Sequence, residues 1–301
     1  MTQRDRKIRV MHLASNPEWA GAEVHLATLA DSLKCNGGVD VSVCVLHDGK
    51  LVEYLKERGI DVRVVRLKWL FDVSAVFKIK KIMEENRIDL VHTHGYKANV
   101  IGSIASALRR GTKCVRTEHG LTEPFRGFDR IKMGFYEYLD SLTGRHMVNK
   151  VISVSKDIQE KITDKYRNIN IETVHNGISD VDFAGVSEDK IRRSFGIGAK
   201  SLVVGVVGRL VPVKGHSHFL EAAKIILKKR RDVLFILVGD GPLRESLEAS
   251  VPEEFQKNIK FTGFRSDVKD IMRIMDIVAF SSLSEGIPYA LLEAMSMEKA
   301  I

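Results

Sequence analysis

Short β-branched runs alternate along the chain with longer segments whose apolar residues recur every three or four positions. In the first half the runs predict strands at Ile8–Ala14, Val41–Leu46, Val62–Val65, Leu90–Thr93, Cys114–Thr117, Val151–Val154 and Ile171–Val174. Helical spacing falls between them, at Ala22–Lys34, Leu51–Arg58, Val73–Asn86, Lys97–Arg109 and Lys156–Tyr166. Runs such as Val151-Ile152-Ser153-Val154 are apolar on both faces, as strands between two helix layers must be. Strict β-α alternation predicts a parallel sheet with right-handed crossovers.

The stretch Asp180–Gly198 is polar, acidic in its middle and closes on Gly196 and Gly198, and a domain boundary is expected there, between units 1–180 and 199–301. Beyond it the pattern restarts with strands Leu202–Val207, Val233–Val238, Ile259–Phe261 and Ile277–Phe280. Helices are expected at His216–Lys229, Leu243–Ala249, Val268–Met275 and Tyr289–Met297. The fold class is therefore α/β, with a second β/α domain of four visible strands.

Composition narrows the class little. With 301 residues, 44% hydrophobic and 29% charged, the chain suits two globular domains. Cys35, Cys44 and Cys114 form no CxxC pair and read as buried free thiols in a reducing compartment. No apolar run reaches roughly 18 residues and the start lacks a signal-type apolar core, so a cytoplasmic protein is expected. The net charge of +8 suits an anionic partner without choosing among nucleic acid, a phosphorylated ligand and an acidic membrane. The run Lys228-Lys229-Arg230-Arg231 sits at a predicted helix end, where the dipole favours cations.

Ligands of parallel sheets bind at the carboxyl ends of the strands, and the chemically capable residues gather there. Gly21 follows the first strand, His94 the fourth, His119 the fifth and Asn176 the seventh. In the second domain Arg209, Asp240, Arg265 and Glu285 follow successive strands. Two such edges facing across a hinge would enclose a cleft.

Arg209 and Lys214 lie in the loop Gly208–Gly215 ahead of a helix, placed to hold a diphosphate against the helix N-terminus. Cations aimed at a departing diphosphate stabilise the transition state above the ground state. The bland alternative is a pair of solvated loop cations. Glu285 and Glu293 flank the Pro288 that opens the last helix, and each carboxylate suits sugar or ribose hydroxyls. A helix dipole alone also favours glutamate there. Gly21 lets backbone N–H groups approach an anion, although no GxGxxG or GxxxxGK[ST] fingerprint is present.

His92, His94 and His119 come from different strand ends without metal-site spacing, so no metal is expected. His119 would bond a sugar hydroxyl or serve the core. The stripe Phe128, Ile131, Phe135, Tyr138, Leu142, with Arg126, Arg130 and Lys132 around it, reads first as a core-facing helix stripe. Its second reading is a surface for an anionic membrane or a lipid-linked acceptor.

In order along the chain stand Ala20-Gly21-Ala22-Glu23, His92-Thr93-His94-Gly95, Glu118-His119-Gly120, Val154-Ser155-Lys156 and His175-Asn176-Gly177. Gly208-Arg209-Leu210 with Lys214-Gly215, Val238-Gly239-Asp240-Gly241-Pro242 and the E-x7-E pair Glu285/Glu293 follow. This ordered set resembles the retaining glycosyltransferases of family four. Ala20 stands where many members have Gly, and His175 where many have Pro. The resemblance implies a GT-B fold: two Rossmann-like β/α domains facing across a cleft, the second incomplete, because family members continue past the E-x7-E helix.

The same resemblance implies Arg209 and Lys214 on the donor diphosphate and Glu293 on the ribose. It places Glu285 and His119 at the transferred sugar, Gly21 against the phosphates and Arg265 near the base. It implies transfer with retention from a nucleoside-diphosphate sugar to a hydroxyl acceptor, without metal or other cofactor and without a protein nucleophile. The implied partners are the nucleotide sugar and a glycan or lipid-linked acceptor, with no nucleic acid; peripheral contact with the inner face of an anionic membrane stays open. A catalytically impaired nucleotide-sugar-binding fragment and a nucleotide-sugar epimerase are the competing readings.

Overall fold

The computed structural model describes residues 6–15, 21–69, 72–120, 129–178, 187–198 and 201–301, with the backbone alone at 129–133. The chain forms two compact units, Met1–Asn176 and Gly177–Ile301.

The first unit runs β1 (Ile8–Ala14), α1 (Gly21–Asn36), β2 (Val39–Val45), α2 (Lys50–Glu57), β3 (Asp61–Val64), α3 (Val73–Glu85) and β4 (Leu90–His94). It continues with α4 (Tyr96–Leu108), β5 (Lys113–Glu118), α5 (Asp129–Met147), β6 (Lys150–Ser153), α6 (Lys156–Ile162) and β7 (Ile171–Thr173). The strands form a parallel seven-stranded sheet in the order β3-β2-β1-β4-β5-β6-β7. Chain order reverses between β1 and β4, the position where doubly wound sheets open a crevice at their carboxyl edge. Two apolar clusters cover the sheet faces, one around Met11, Leu13, Ile79 and Val91 and the other around Leu26, Val43 and Leu55.

The second unit runs α7 (Glu188–Ser194), β8 (Leu202–Val207), α8 (His216–Leu227), β9 (Val233–Val238), α9 (Arg244–Ala249), β10 (Ile259–Gly263), α10 (Val268–Arg273), β11 (Ile277–Val278) and α11 (Tyr289–Ser296). Its parallel sheet has the order β10-β9-β8-β11, with the reversal between β8 and β11. All of Val233–Val238 is buried, as a central strand covered on both faces requires.

Four expectations change. The polar stretch expected to be a boundary contains α7, whose Ile191 packs with the adjoining Phe195 and Ile197 into the core of the second unit. Glu188 and Asp189 open this helix and Arg192 and Arg193 close it, which complements the dipole and hides the apolar Ile191 in a charged sequence. The last strand stops at Val278, short of the expected Phe280. On its outer edge Ile277 bridges Ala300 in parallel and Val278 N–H donates to Ala300 C=O at 2.9 Å.

The stripe on α5 also differs from its core-facing reading. Phe135, Tyr138 and Leu142 are exposed, while Tyr136, Asp140 and Thr143 form the buried face. Polar side chains with specific partners took the inner face, so apolar periodicity alone misplaced the core side. Phe128 and Arg126 lie outside the described residues, as do the side chains of Arg130, Ile131 and Lys132. Finally, Cys44 and Cys114 are buried free thiols, but Cys35 is exposed.

Candidate active site

In the second unit the loops after β8 and β11 meet at the switch point. Ser281 Oγ donates to Lys214 C=O at 3.1 Å and Leu283 N–H to Val213 C=O at 2.8 Å. Gly215 sits at φ 62°, where a Cβ would stand 2.0 Å from the Ser281 carbonyl oxygen. Only glycine lets the loops approach this closely. Within the join, Lys214 Nζ forms an ion pair and hydrogen bond with Glu285. Ser282 Oγ donates to the same carboxylate oxygen at 2.8 Å. The first loop is tied down further by His216 Nε2, which bonds Arg209 C=O at 2.8 Å.

Two residues expected to act separately, Lys214 on phosphate and Glu285 on sugar, are thus direct partners. Their side chains are 22% and 24% exposed, so the pair is reachable but well shielded. Glu293 lies within α11, mostly buried; desolvation pushes its carboxyl above the usual range, against the opposing pull of Lys269 at 3.9 Å. Arg265 stands apart, at the surface, held by Asp267 through bonds of 2.7 and 2.6 Å. It lines a shallow hollow with Phe264 and Ser266.

In the first unit the strand register gathers histidines on one face of the sheet. His12 of β1 pairs with His92 of β4, and His94 with Thr117 of β5. Side chains two positions apart share a face, so His12, His92, His94 and Thr117 point to one side and His119 follows just beyond β5. His25 joins from α1, its ring edge-on to His119 at 4.7 Å between centroids. His12 Nδ1 lies 3.2 Å from His94 Nε2, and His94 Nδ1 lies 3.1 Å from His119 Nε2. His92 Nε2 bonds Thr117 Oγ1 at 2.7 Å, and His25 Nδ1–H donates to Asn176 Oδ1 at 3.0 Å.

Burial, and then the neighbouring imidazoles, strongly disfavour protonation of His12, His92, His94 and His119, and burial lowers His25 against the hydrogen bond to Asn176. His12 and His119 are lowered to about 3, and His92 and His94 lie well below the ordinary value. All five rings are thus neutral near pH 7. Two sets of three, His12/His92/His94 and His25/His94/His119, are close enough to be candidate metal donors. Gly21 is the first residue of α1, and a Cβ there would meet nothing within 4 Å. The fold of the unit itself makes no demand for glycine at this position.

The family described as Glycosyltransferase Family 4 matches residues 19–181, more than half of the chain. The chain belongs to glycosyltransferase family 4. The family described as Glycosyl transferases group 1 matches residues 187–301, so both units of this glycosyltransferase are accounted for. It is similar to UDP-Gal:alpha-D-GlcNAc-diphosphoundecaprenol alpha-1,3-galactosyltransferase of Escherichia coli, 27% identical over 98% of this chain and 79% of that protein. It is also similar to the phosphatidylinositol N-acetylglucosaminyltransferase GPI3 subunit of Saccharomyces cerevisiae, 26% identical over 93% of this chain and 64% of that one. Among solved structures, Anabaena Alr3699/HepE in complex with UDP and glucose superposes with a TM-score of 0.81, covering 97% of this chain and 79% of that one at 24% identity. That likeness supports the GT-B class of paired Rossmann-like domains.

Sequence reasoning reached His92, His94 and His119 of this glycosyltransferase but missed His12 and His25. The signal for His12 was present: it sits two residues before the end of its strand, as His92 does. Using it required knowing that β1 and β4 are neighbours.

Proposed function

We propose that the glycosyltransferase transfers a hexose or related sugar from a nucleoside-diphosphate sugar to a hydroxyl acceptor with retention of configuration. The observation that carries this reading is the joined pair of loops holding Arg209, Lys214 and Glu285 at the switch point of the second unit. Glu285 neutralises Lys214. A bound diphosphate competes for the ammonium, and the released carboxylate becomes an acceptor for sugar hydroxyls. Arg209 adds a permanent cation for the leaving phosphate, Glu293 accepts from the ribose, and the loop of Arg265 borders the base. In the first unit, Gly21 leaves room for phosphate and His119 contacts the sugar.

In the transfer step the acceptor oxygen bonds to the anomeric carbon as the carbon–phosphate oxygen bond breaks. The electron pair stays on the departing diphosphate, which takes the acceptor proton on the same face. Arg209 and Lys214 stabilise the growing charge, so no divalent cation is needed. A UDP-sugar is the proposed donor, because the Escherichia coli relative is a UDP-Gal-dependent galactosyltransferase and the Anabaena neighbour is in complex with UDP. A lipid-linked glycan is the proposed acceptor by the same similarity. Among the described residues no helix is long and apolar enough to cross a membrane. The exposed Phe135, Tyr138 and Leu142 instead supply a peripheral contact for the inner face of an anionic bilayer.

Calorimetry with UDP tests the donor site. Arg209→Ala is expected to weaken binding by about 1.5–3 kcal/mol, the size of a charge-assisted hydrogen bond. Unchanged affinity in an Arg209→Ala/Lys214→Ala double variant would remove the assignment. Turnover that disappears with EDTA and returns with magnesium or manganese would remove the metal-independent mechanism.

A further inference from the structure

We infer that His119 is locked by a one-way chain of imidazoles in the tautomer with its proton on Nδ1, so that it meets a ligand oxygen as a hydrogen-bond donor and not as a base. The chain runs from His12 through His94 to His119, with nitrogen–nitrogen separations of 3.2 and 3.1 Å. A neutral imidazole has one N–H and one bare nitrogen. Each link needs one donor and one acceptor, so the tautomer of any one ring dictates the other two. Only two directions satisfy both links.

His12 chooses between them. Its Nε2 is fully buried and has no hydrogen-bond partner. An orphaned buried N–H is rarer than an under-satisfied acceptor, so Nε2 is the bare nitrogen and the proton sits on Nδ1. His12 Nδ1–H therefore donates to His94 Nε2. His94, with Nε2 accepting, carries its proton on Nδ1 and donates to His119 Nε2. His119 is left with its proton on Nδ1.

Neutrality of the rings rests on surroundings as well as burial. His25 and His92 crowd the chain from either side, with ring centroids 4.7 Å from His119 and 4.3 Å from His94. A second charge in the cluster would be repelled by the first, so neighbouring rings are not protonated together. Among the described residues the one hydrogen bond made by His119 uses Nε2, which leaves Nδ1–H for a ligand. That the ligand is the transferred sugar rests on the proposed function; the tautomer does not. His12 and His94 are positioning residues in this scheme.

Nitrogen NMR of the full chain labelled with 15N-histidine reads the tautomers without turnover. At neutral pH the expected spectrum has His12, His94 and His119 with Nδ1 pyrrole-like and Nε2 imine-like. An Nε2–H tautomer of His119 overturns the lock, and so does one equivalent of zinc retained after dialysis against that metal. His94→Leu should leave His119 a mixture of tautomers, whereas His94→Asn, whose amide stands in for the Nδ1–H donor, should restore the single form. If His94→Leu does not fold, His12→Leu serves: it removes the choice of direction, and His119 should then show both forms. An unchanged single tautomer in that variant overturns the proposal.

Kinetics separate this inference from the reading it deepens. With His94→Leu, kcat/KM for the donor should fall roughly tenfold, the loss of one well-placed hydrogen bond, and His94→Asn should recover most of it. A lock present by NMR with rates unchanged in His94→Leu would remove His119 from the sugar and leave its tautomer as inferred.

Discussion

The two faces of β5 bury polar side chains in opposite ways. On one face Thr117, with His119 just beyond it, joins the neutral imidazole cluster. On the other, Arg116 is completely buried and keeps its charge. Its guanidinium donates to Asp140 Oδ1 at 3.1 Å, Tyr166 Oη at 3.0 Å and Ser103 Oγ at 3.2 Å. Tyr166 Oη in turn donates to Glu118, and Lys165 Nζ to Asp140 at 2.6 Å. Burial alone would lower Arg116 and Lys165, but the carboxylates around them more than offset it and both are raised. A group whose titration lies near neutral pH escapes the cost of burial by discharging. A guanidinium cannot, and needs a carboxylate.

The largest test breaks the charged face. Asp140→Ala leaves Arg116 buried without its direct carboxylate partner, and about 3–5 kcal/mol of stability should be lost. The loss should be nearly the same at low and high salt, because solvent ions do not reach the pair. Urea unfolding at both ionic strengths checks each part; a loss below about 1 kcal/mol would mean the network relaxes around the gap. Tyr166→Phe removes one hydroxyl that bridges Arg116 and Glu118, and about 1.5–3 kcal/mol is expected from the same measurement.

Acid distinguishes the faces more sharply. His12 and His119 are lowered to about 3 in the folded protein, against an ordinary value near 6.5 in the unfolded chain. Between those values the unfolded chain binds more protons, so stability rises with pH. The contribution is complete above about pH 6.5 and is lost as pH falls toward 3, by about 1.4 kcal/mol per pH unit for each histidine. Arg116, Lys165 and Tyr166 are shifted upward and add no slope in this window. His12→Leu should therefore flatten the acid limb of the urea midpoint, and an unaltered limb would show that this ring is charged in the folded state. The smallest effect is expected from Thr117→Val, which strips one hydrogen bond from His92 Nε2 and should cost about 0.5–1.5 kcal/mol.

The charged face was not legible in the sequence and the histidine face only in part, although the strand between them was. Val115 and Cys114 announce β5 by composition, and the run to Thr117 fell within its observed span. The partners of Arg116 come from α4, α5 and the turn after α6, and no local pattern links them. The histidines needed the order β1-β4-β5, which alternation alone does not supply. The donor half was easier, because its residues lie in loops that follow single strands: Arg209 and Lys214 share the loop after β8, and Glu285 lies in the loop after β11, ahead of α11. Even there the ion pair of Lys214 with Glu285 was not foreseen, since it depends on β11 lying beside β8. Helix α7 and the inner face of α5 failed for one reason. Charged and polar residues dominate both: in α7 they surround the single buried Ile191, and in α5 they form the buried face themselves.

Gly239 sits at φ 138°, and a Cβ there would lie 2.0 Å from the Gly208 carbonyl oxygen. The loop after β9 therefore rests on the loop after β8 main chain to main chain, with Leu210 N–H donating to Asp240 C=O at 2.9 Å and Leu243 N–H to Leu210 C=O at 3.0 Å. Contacts of this kind carry no side-chain identity beyond the glycine that permits them. A Gly208–Gly215 loop grafted from a relative should therefore seat on Gly239–Leu243 whatever its side chains, provided position 239 stays glycine.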